Sequence, residues 1–177
     1  MADRVALQHL VNAYCHAIDR RNYALLRTLY HPGASDDHRP YFQGSAEDYI
    51  NWLPSMLDNW QATSHAISNC LFIVDGDEAE GEILTRAWHR SKDGKQDVIG
   101  YGRYADRYQK RDGIWRFAHR SLVLDYADTH AVNLAEGSAE VADNAGQAGS
   151  GDPVYTALAL FAKDRTARND TSGKKVK

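Results

Sequence analysis

Cysteine is scarce in this sequence of 177 residues, and metal and phosphate motifs are missing. The two cysteines, Cys15 and Cys70, stand far apart, so we expect reduced, buried thiols and no disulfide framework. The eight histidines include no His-Glu-x-x-His or comparable spacing, which predicts no metal site. No glycine-rich loop precedes a helix, since Gly100 and Gly102 fall within a strand pattern. The sequence therefore predicts a protein without a metal or nucleotide cofactor.

Long apolar runs and a strong net charge are missing too. The formal net charge is -3, with 43% hydrophobic and 25% charged residues, a globular composition without the basic excess that nucleic-acid binding needs. No stretch approaches the roughly 20 apolar residues of a membrane span, and the first ten residues lack the pattern of a secretory signal. We expect one cytoplasmic domain with a modest tail that binds neither nucleic acid nor membrane.

Three helices are predicted in the N-terminal third of the chain. Apolar residues at steps of three and four indicate an amphipathic helix over residues 5–18. A short second helix follows with Asn22 as its cap, and a third begins at Ser45, where Asp48 resembles part of a capping box and Pro54 should kink or interrupt the helix. Residues 31–40 are rich in turn formers and predict a loop that reaches a short strand at residues 41–42.

The pattern changes after Thr63 to long runs of β-branched and alternating residues. Asp-Gly turn signals within residues 75–77, 92–94 and 111–113 separate four antiparallel strands near residues 64–74, 78–91, 96–110 and 114–126. Strands of this length favour a strongly curved sheet. We predict an α+β fold of cone shape, in which the three helices pack in the curved antiparallel sheet of an α+β barrel.

The C-terminal part of the chain has a different composition. Residues 131–151 are rich in small and acidic residues and predict a flexible connection. Asp152 and Pro153 resemble an N-cap and a first helical residue, which indicates a helix over residues 152–164 that acts as a lid or an oligomer contact. Residues 165–177 are predicted to be a frayed tail.

Asp19 is a candidate catalytic residue because it lies at the edge of the apolar stripe of the first helix, where a charge is costly. An imidazole is the partner best suited to move protons near neutral pH. His65 shares strand parity with Ile67, Leu71 and Ile73, so it is predicted to face the covered side of the sheet. An Asp that holds one ring nitrogen fixes the tautomer and frees the other nitrogen as a general base. The sequence thus predicts an Asp19–His65 dyad.

Two further polar residues are candidates for the same pocket. Tyr14 lies on the helical stripe and can donate its hydroxyl to a substrate oxygen, although a core tyrosine would show the same pattern. Arg120, on the last strand, can hold a developing anion or a leaving group, or it can project from the rim. The segment of residues 36–38, Asp-Asp-His, is interpreted as a solvated polar loop in preference to a cation site.

The residues at these positions resemble those of a known family. The likeness is carried by Tyr14 to Asp19, by His65, and by the strings GYGRYADRY from Gly100 and RDGIWRFAHR from Arg111. Over residues 5–126 the chain resembles the SnoaL-like branch of the nuclear transport factor two-like superfamily, and the strings mainly report the fold. The resemblance implies a SnoaL-like catalytic domain over residues 1–130.

The same resemblance implies the roles of individual residues. Hexachlorocyclohexane dehydrochlorinase and bile acid dehydratase, which belong to this group, use an Asp, a His and a late Arg at positions that match Asp19, His65 and Arg120. The bile acid enzyme adds a Tyr that matches Tyr14. The lysine that the dehydrochlorinase has at that place is missing here.

Some family positions have no assigned counterpart. Relatives place a further polar group on the middle strands, and Trp88 and His89 occupy that neighbourhood without a clear match. The acid that protonates the leaving group is therefore left open. We expect Leu53, Trp88 and Tyr101 to bind the substrate.

The implied function is that of a cofactor-independent lyase. His65 would take a proton from a hydrophobic aromatic or polycyclic small molecule, in a dehydration or in a retro-aldol loss of formaldehyde from a lignin-derived diaryl diol, chemistry typical of aromatic compound catabolism. An isomerase or cyclase with the same base, a ligand carrier, and a non-catalytic β subunit of an aromatic-ring dioxygenase are alternatives. A homodimer or homotrimer is expected, because the outer face of a curved sheet tends to pair.

Overall fold

Three helices precede the long strands in the computed structural model, which describes residues 1–132 and 145–172. They are α1 (Ala2–Asp19), α2 (Tyr23–Leu29) and α3 (Ala46–Leu57). Both predicted caps are present: Asn22 Oδ1 accepts from the Leu25 amide at 3.1 Å, and Ser45 Oγ accepts from the Asp48 amide at 3.1 Å. Pro54 lies inside α3 without interrupting it, so the expected break does not occur.

Six strands form one sheet around these helices. They are β1 (Tyr30–His38), β2 (Phe42–Ser45), β3 (Trp60–Asp75), β4 (Glu78–Ser91), β5 (Gln96–Arg111) and β6 (Ile114–Ala131). The order across the sheet is β2-β1-β6-β5-β4-β3. The predicted α+β cone is confirmed, with two corrections. Among the described residues β2 and β3 are the two edge strands, so the sheet is curved but not closed into a barrel, and β1 runs parallel to β6.

The segment predicted as a loop over residues 31–40 is mostly strand β1. Its pairing with β6 shifts between Tyr30 and Ser35, and Pro32 and Gly33 lie within that irregularity. Gly33 has a φ of 81°, a conformation that favours glycine. Turn-forming residues are tolerated at a bulge because the ladder is interrupted there. The turn-forming residues of this segment therefore indicate an irregularity within a strand, and the prediction of a loop was wrong.

The core lies between the helices and the inner face of the sheet. From α1 it receives Leu7, Val11 and Ile18, which are almost completely buried, and from the sheet Ile83 and Phe117. Each such side chain contributes about 1.5–3 kcal/mol by leaving water. This packing fixes the end of α1 against β3, the two elements that carry the predicted dyad.

A bulge in β3 corrects the predicted side-chain parity. The register with β4 shifts between Ile67 and Cys70, so the inner face carries Ile67 before the bulge and Phe72 after it. Leu71 and Ile73 are each 66% exposed and face outwards. The inference that they share a face with His65 was wrong, because a bulge inverts the alternation of all later residues.

The C-terminal segment packs against the end of α1 and against α2. It contains a 3₁₀ turn (Gly149–Gly151), α4 (Pro153–Ala157) and α5 (Ala159–Ser172). Asp152 caps α4 as predicted, accepting from the Val154 amide at 2.9 Å, and it also pairs with Arg20 at 2.5 Å. The Gly149 amide and the Arg165 guanidinium donate to the Arg20 carbonyl at 3.1 and 3.2 Å.

The predicted helix over residues 152–164 is thus two helices, and the second continues to Ser172, where a frayed tail was expected. An ion pair between Arg168 and Asp164, one turn apart at 2.7 Å, supports this extension. Residues 133–144 of the predicted flexible connection, and residues 173–177 of the predicted tail, lie outside the described residues.

Candidate active site

Asp19 and His65 are in direct contact. Asp19 is the last residue of α1, and His65 lies on the inner face of β3. The His65 Nδ1 atom is 2.7 Å from Asp19 Oδ1, and the His65 backbone amide donates to Asp19 Oδ2 at 2.8 Å. The two side chains are 9% and 10% exposed. Because an ionised carboxylate only accepts, Nδ1 carries the hydrogen, which leaves the lone pair of the neutral ring on Nε2.

Two residues that the sequence analysis missed hold the carboxylate in place. Thr63 Oγ1 donates to Asp19 Oδ1 at 2.9 Å and accepts from Arg21 Nη1 at 3.1 Å. Arg21 also donates to the carbonyls of Ile18 and Leu57, at 3.0 and 3.3 Å. The spacing of Thr63 and His65, two residues apart on one strand face, is the signal that would have identified the threonine.

The hydrogen bonds decide the charge of Asp19. Burial by itself raises the pKa of this carboxyl, but the side chain and amide of His65, together with the Thr63 hydroxyl, outweigh burial and hold the pKa below 3.8. The aspartate is therefore ionised at neutral pH and serves as an acceptor for His65.

A second histidine stands next to the dyad. The ring of His89, on the inner face of β4, has its centroid 5.4 Å from that of His65 and 4.9 Å from that of Trp60. Burial, aided by the neighbouring His65, lowers the pKa of His89 to about 4. His89 is therefore neutral at pH 7 and adds no positive charge beside the proposed base.

Tyr14 lies on the buried face of α1 and does not touch the dyad. Its hydroxyl oxygen is 2.8 Å from that of Tyr49 on α3, and its ring meets those of Tyr104 and Phe117 edge-on at 5.7 and 5.9 Å. Burial raises the pKa of Tyr14 well above its ordinary value of 10.0. The hydroxyl is therefore a neutral donor or acceptor and not a phenolate.

Arg120 is a completely buried cation. It pairs with Asp106 through two hydrogen bonds of 2.8 and 2.7 Å, and its guanidinium carbon lies 4.0 Å from the ring centroids of Tyr14 and Tyr104. Its Nη1 atom has no hydrogen-bond partner among the described residues. Since its side chain is 0% exposed, Arg120 is not part of an open surface, and its charge faces Asp106 and the surrounding aromatic rings.

The three predicted substrate-binding residues are not brought together with the dyad. Leu53 is 0% exposed within the core. Trp88 and Tyr101 alternate with inward-facing neighbours and lie on the outer face of the sheet. There Arg90 lies over Trp88 at 5.4 Å, and Tyr101 stacks on Tyr126 at 4.4 Å. Strand parity counted from Thr85 and Ile83, both buried, would have assigned His89 to the inner face in place of Trp88.

Opposite His65, the inner face of the sheet carries residues with little or no side chain. Ala87 pairs with His65 and with Gly100, and Gly102 follows on the same face of β5. We call Ala87, Gly100 and Gly102 the small-residue lane. At Gly102 a Cβ would lie 2.4 Å from the Val123 carbonyl oxygen, so glycine is required, whereas at Gly100 the nearest atom would be 3.6 Å away.

Other features of the described residues lie apart from the dyad. No group of three or more His, Cys, Asp or Glu side chains in residues 1–132 and 145–172 is arranged to hold a metal ion. Within the same ranges, no helix has the length and apolar character to cross a bilayer. A surface cavity of about 570 Å³ near the other end of the sheet is lined by residues that include His31, Arg107 and Arg111, and it contains neither Asp19 nor His65.

The helices packed against a curved, unclosed sheet form a cone of the nuclear transport factor two-like kind. A family model described as a SnoaL-like domain matches residues 1–121, so the chain belongs to the SnoaL-like domain family. The uncharacterised protein Rv2910c of Mycobacterium tuberculosis (strain H37Rv) is 28% identical over 123 residues, which are 68% of this chain and 84% of that protein.

Solved structures share the fold at lower identity. A type 2 hexachlorocyclohexane dehydrochlorinase (LinA) superposes with a TM-score of 0.69 and 21% identity, covering 73% of this chain and 90% of that one. Rv3472 of Mycobacterium tuberculosis superposes with a TM-score of 0.62 and 21% identity over 99% of this chain and 93% of its own. Structures of this fold therefore include a hexachlorocyclohexane dehydrochlorinase, and the likeness to Rv3472 includes the C-terminal helices.

Proposed function

We propose that this protein is a cofactor-independent lyase for hydrophobic aromatic or polycyclic molecules, with His65 as its general base. The observation that carries the proposal is the 2.7 Å contact between Asp19 Oδ1 and His65 Nδ1, backed by the bond from the His65 amide to the other carboxylate oxygen. A carboxylate held at both oxygens fixes the imidazole tautomer and leaves Nε2 free to accept a proton. Such a base contributes about 10²–10⁴-fold to a rate.

The surroundings of His65 favour an apolar substrate. The residues of the small-residue lane present little side chain beside His65, and Ile67 and Trp60 add apolar surface near the dyad. A site of this kind removes a proton from carbon in a dehydration, or from a hydroxyl in a retro-aldol cleavage that releases formaldehyde from a diaryl diol. The roles of Tyr14 and Arg120 in assisting the leaving group stay predictions, because both side chains are buried in the core, where Tyr14 bonds to Tyr49 and Arg120 to Asp106.

The test is incubation of the purified protein, with a chelator and no added cofactor, with aromatic diols, hydroxysteroids and polyketide-like alcohols while product mass is followed. We expect loss of water or formaldehyde with the wild type and not with His65→Ala. The matched control is His9→Ala, because His9 is an exposed histidine of α1 and its removal should leave the rate unchanged.

Each other outcome identifies a different function. A product of unchanged mass that depends on His65 would indicate an isomerase or cyclase. Tight binding without any product would indicate a carrier or a scaffold subunit. Turnover that His65→Ala retains would remove His65 as the base.

A further inference from the structure

Arg21 occupies a backbone position at which a side chain is disfavoured. It is the second residue after α1, and its φ of 50° lies in the left-handed region, where glycine is the usual residue after a helix. A residue with a Cβ persists in this conformation where the surrounding structure holds it. The contacts of the guanidinium group therefore indicate what an arginine does at this position.

The guanidinium joins three elements of the fold. Its Nη1 atom donates to the Ile18 carbonyl of α1 and to Thr63 Oγ1 of β3, and its Nη2 atom donates to the carbonyl of Leu57 at the end of α3. Burial lowers the pKa of Arg21 from its ordinary value of 12.5, but a guanidinium stays a cation at neutral pH and can only donate. Among the described residues, its hydrogen-bonded route to the dyad passes through Thr63.

The arginine decides which way the Thr63 hydroxyl points. A hydroxyl has one hydrogen, which it can turn towards either of two neighbours. Because the guanidinium donates to Oγ1, the hydrogen of the hydroxyl is left for Asp19 Oδ1, which lies 2.9 Å away. Thr63 is only 5% exposed, so water has little access to compete for this hydrogen. The hydroxyl is therefore a fixed donor to the carboxylate.

A fixed donor at Asp19 supports one tautomer of His65. Oδ1 accepts from both His65 Nδ1 and the Thr63 hydroxyl, and Oδ2 accepts from the His65 amide. Burial by itself raises the pKa of Asp19, but the bonds from His65 and Thr63 outweigh burial and keep the carboxyl ionised. We call Arg21, Thr63, Asp19 and His65 the donor series. Its first group can only donate and its carboxylate can only accept, which fixes the direction of every bond between them.

We propose that Arg21 is a positioning residue for the general base, and that it acts on His65 through Thr63 and Asp19; this inference rests on the proposed function. Arg21 does not itself exchange a proton. When the donor series is complete, the neutral ring of His65 carries its hydrogen on Nδ1, and Nε2 can accept a proton. When the hydroxyl can turn away, fewer donors hold Asp19, and rings with the hydrogen on Nε2 become populated. These rings cannot act as the base.

The first test needs no substrate. NMR of isotope-labelled ring nitrogens, assigned with His65→Ala, distinguishes a nitrogen that carries hydrogen from one with a lone pair, and pH 8 is chosen because an ordinary imidazole is neutral there. We expect hydrogen on Nδ1 of His65 in the wild type and a measurable share on Nε2 in Thr63→Val and Arg21→Met. Thr63→Ser keeps a hydroxyl and should restore the wild-type spectrum. An unchanged tautomer in Thr63→Val or in Arg21→Met would overturn the proposal.

The second test separates positioning of the base from support of the fold, because Arg21 also holds the ends of two helices. On a compound that the wild type converts, we expect Thr63→Val and Arg21→Met each to lower kcat about 10-fold with little change in KM. The double variant should also lose about 10-fold, since both changes break the same series of bonds. Losses that multiply to about 100-fold would show that Arg21 acts independently of Thr63 and would overturn the proposal.

Arg27→Met is the matched control. Arg27 joins α2 to α3 through Glu47 and Asn51, apart from the donor series, so its removal should leave kcat unchanged. Circular dichroism and thermal unfolding establish that each variant is folded. If Arg21→Met does not fold, Arg21→Gln takes its place, because an amide can donate to a helix carbonyl but can also accept, and so no longer fixes the hydroxyl.

The two tests also separate this proposal from the proposed function. A wild type without turnover on any compound would overturn the lyase, whereas the NMR spectra would still decide whether Arg21 and Thr63 set the tautomer of His65. Turnover that depends on His65, together with wild-type kcat in Thr63→Val, would overturn the role of Arg21 and leave the base in place.

Discussion

The two aspartate–histidine pairs reach the same local geometry by different routes. Asp36 and His38 are two residues apart on one strand, so the alternation of β1 alone places them on one face. Asp19 and His65 are 46 residues apart, and their contact exists only when α1 is packed against β3. The Asp36–His38 pair forms wherever β1 is a strand, whereas the Asp19–His65 pair forms only when the whole domain is folded. A shift of α1 would therefore disable the Asp19–His65 pair, which we call the first pair, and leave the second pair, Asp36–His38, assembled.

Replacement of each carboxylate by an amide is the sharpest way to break the comparison. In Asp19→Asn the amide can donate to Nδ1 and so favours the tautomer that carries hydrogen on Nε2, which cannot accept a proton. We expect kcat to fall about 10³-fold on the compound that the wild type converts. In Asp36→Asn we expect kcat to change little, because Asp36 bonds to His38 and Tyr30 and not to the dyad. Equal losses in the two variants would contradict the assignment of the base to the first pair.

Closing the lane tests whether the substrate lies on the inner face beside His65. A Cβ at Gly100 would make only ordinary contacts, 3.6 Å from Leu124 Cδ1, so Gly100→Ala should fold, and thermal unfolding establishes whether Gly100→Leu does. The leucine side chain would occupy the inner face next to Ala87, the strand partner of His65, and we expect kcat/KM to fall about 100-fold. Gly100→Ala is the control and should lose much less. A leucine variant with wild-type kinetics would indicate that the substrate does not lie along the lane.

His89 lies next to the Asp19–His65 pair, and we expect it to affect the free energy of unfolding. Its pKa is lowered to about 4 in the folded protein from 6.5, so the unfolded chain binds a proton more readily. The resulting contribution is complete above pH 6.5 and is lost as pH falls towards 4; we expect about 3 kcal/mol over this window, of which about 2 kcal/mol is lost between pH 7 and pH 4.5. Asp19 titrates below 3.8, outside this window.

The measurement is chemical denaturation of the wild type and His89→Gln at pH 7 and pH 4.5. The variant should lose less stability between the two pH values than the wild type does. His16 and His31, whose pKa values burial also lowers, are present in both proteins, so the difference isolates His89. Parallel pH dependences would show that His89 is not held neutral by the fold.

The sequence predicted the elements whose signals are periodic. The stripe of α1, the caps Asn22 and Ser45 and the Asp-Gly turns gave the helices and the four long strands, because each depends on neighbours in the chain. Residues 30–38 were missed as a strand because Pro32 and Gly33 stand at an irregularity, where turn formers and a strand coexist. Because residues 30–38 were not predicted to be a strand, the contact between Asp36 and His38 could not be predicted either.

The remaining errors concern which way a side chain faces. The bulge between Ile67 and Cys70 has no reliable mark in the sequence, yet it turned Leu71 and Ile73 outwards. Trp88 and Tyr101, which were predicted to bind the substrate, lie on the outer face, away from the dyad. The contact between Asp19 and His65 was predicted because a carboxylate on the apolar stripe of a helix needs a partner, whatever the register of the strands.

The attachment of the C-terminal segment has a consequence for how this protein can be divided. The match to the SnoaL-like domain ends at residue 121, but the carbonyl that follows Asp19 is held by Gly149 and Arg165. A fragment or fusion that ends at residue 121 would keep Asp19 but would lose the two donors that hold the next residue's carbonyl. The part of the chain that supports this site therefore extends beyond the matched domain and includes α5.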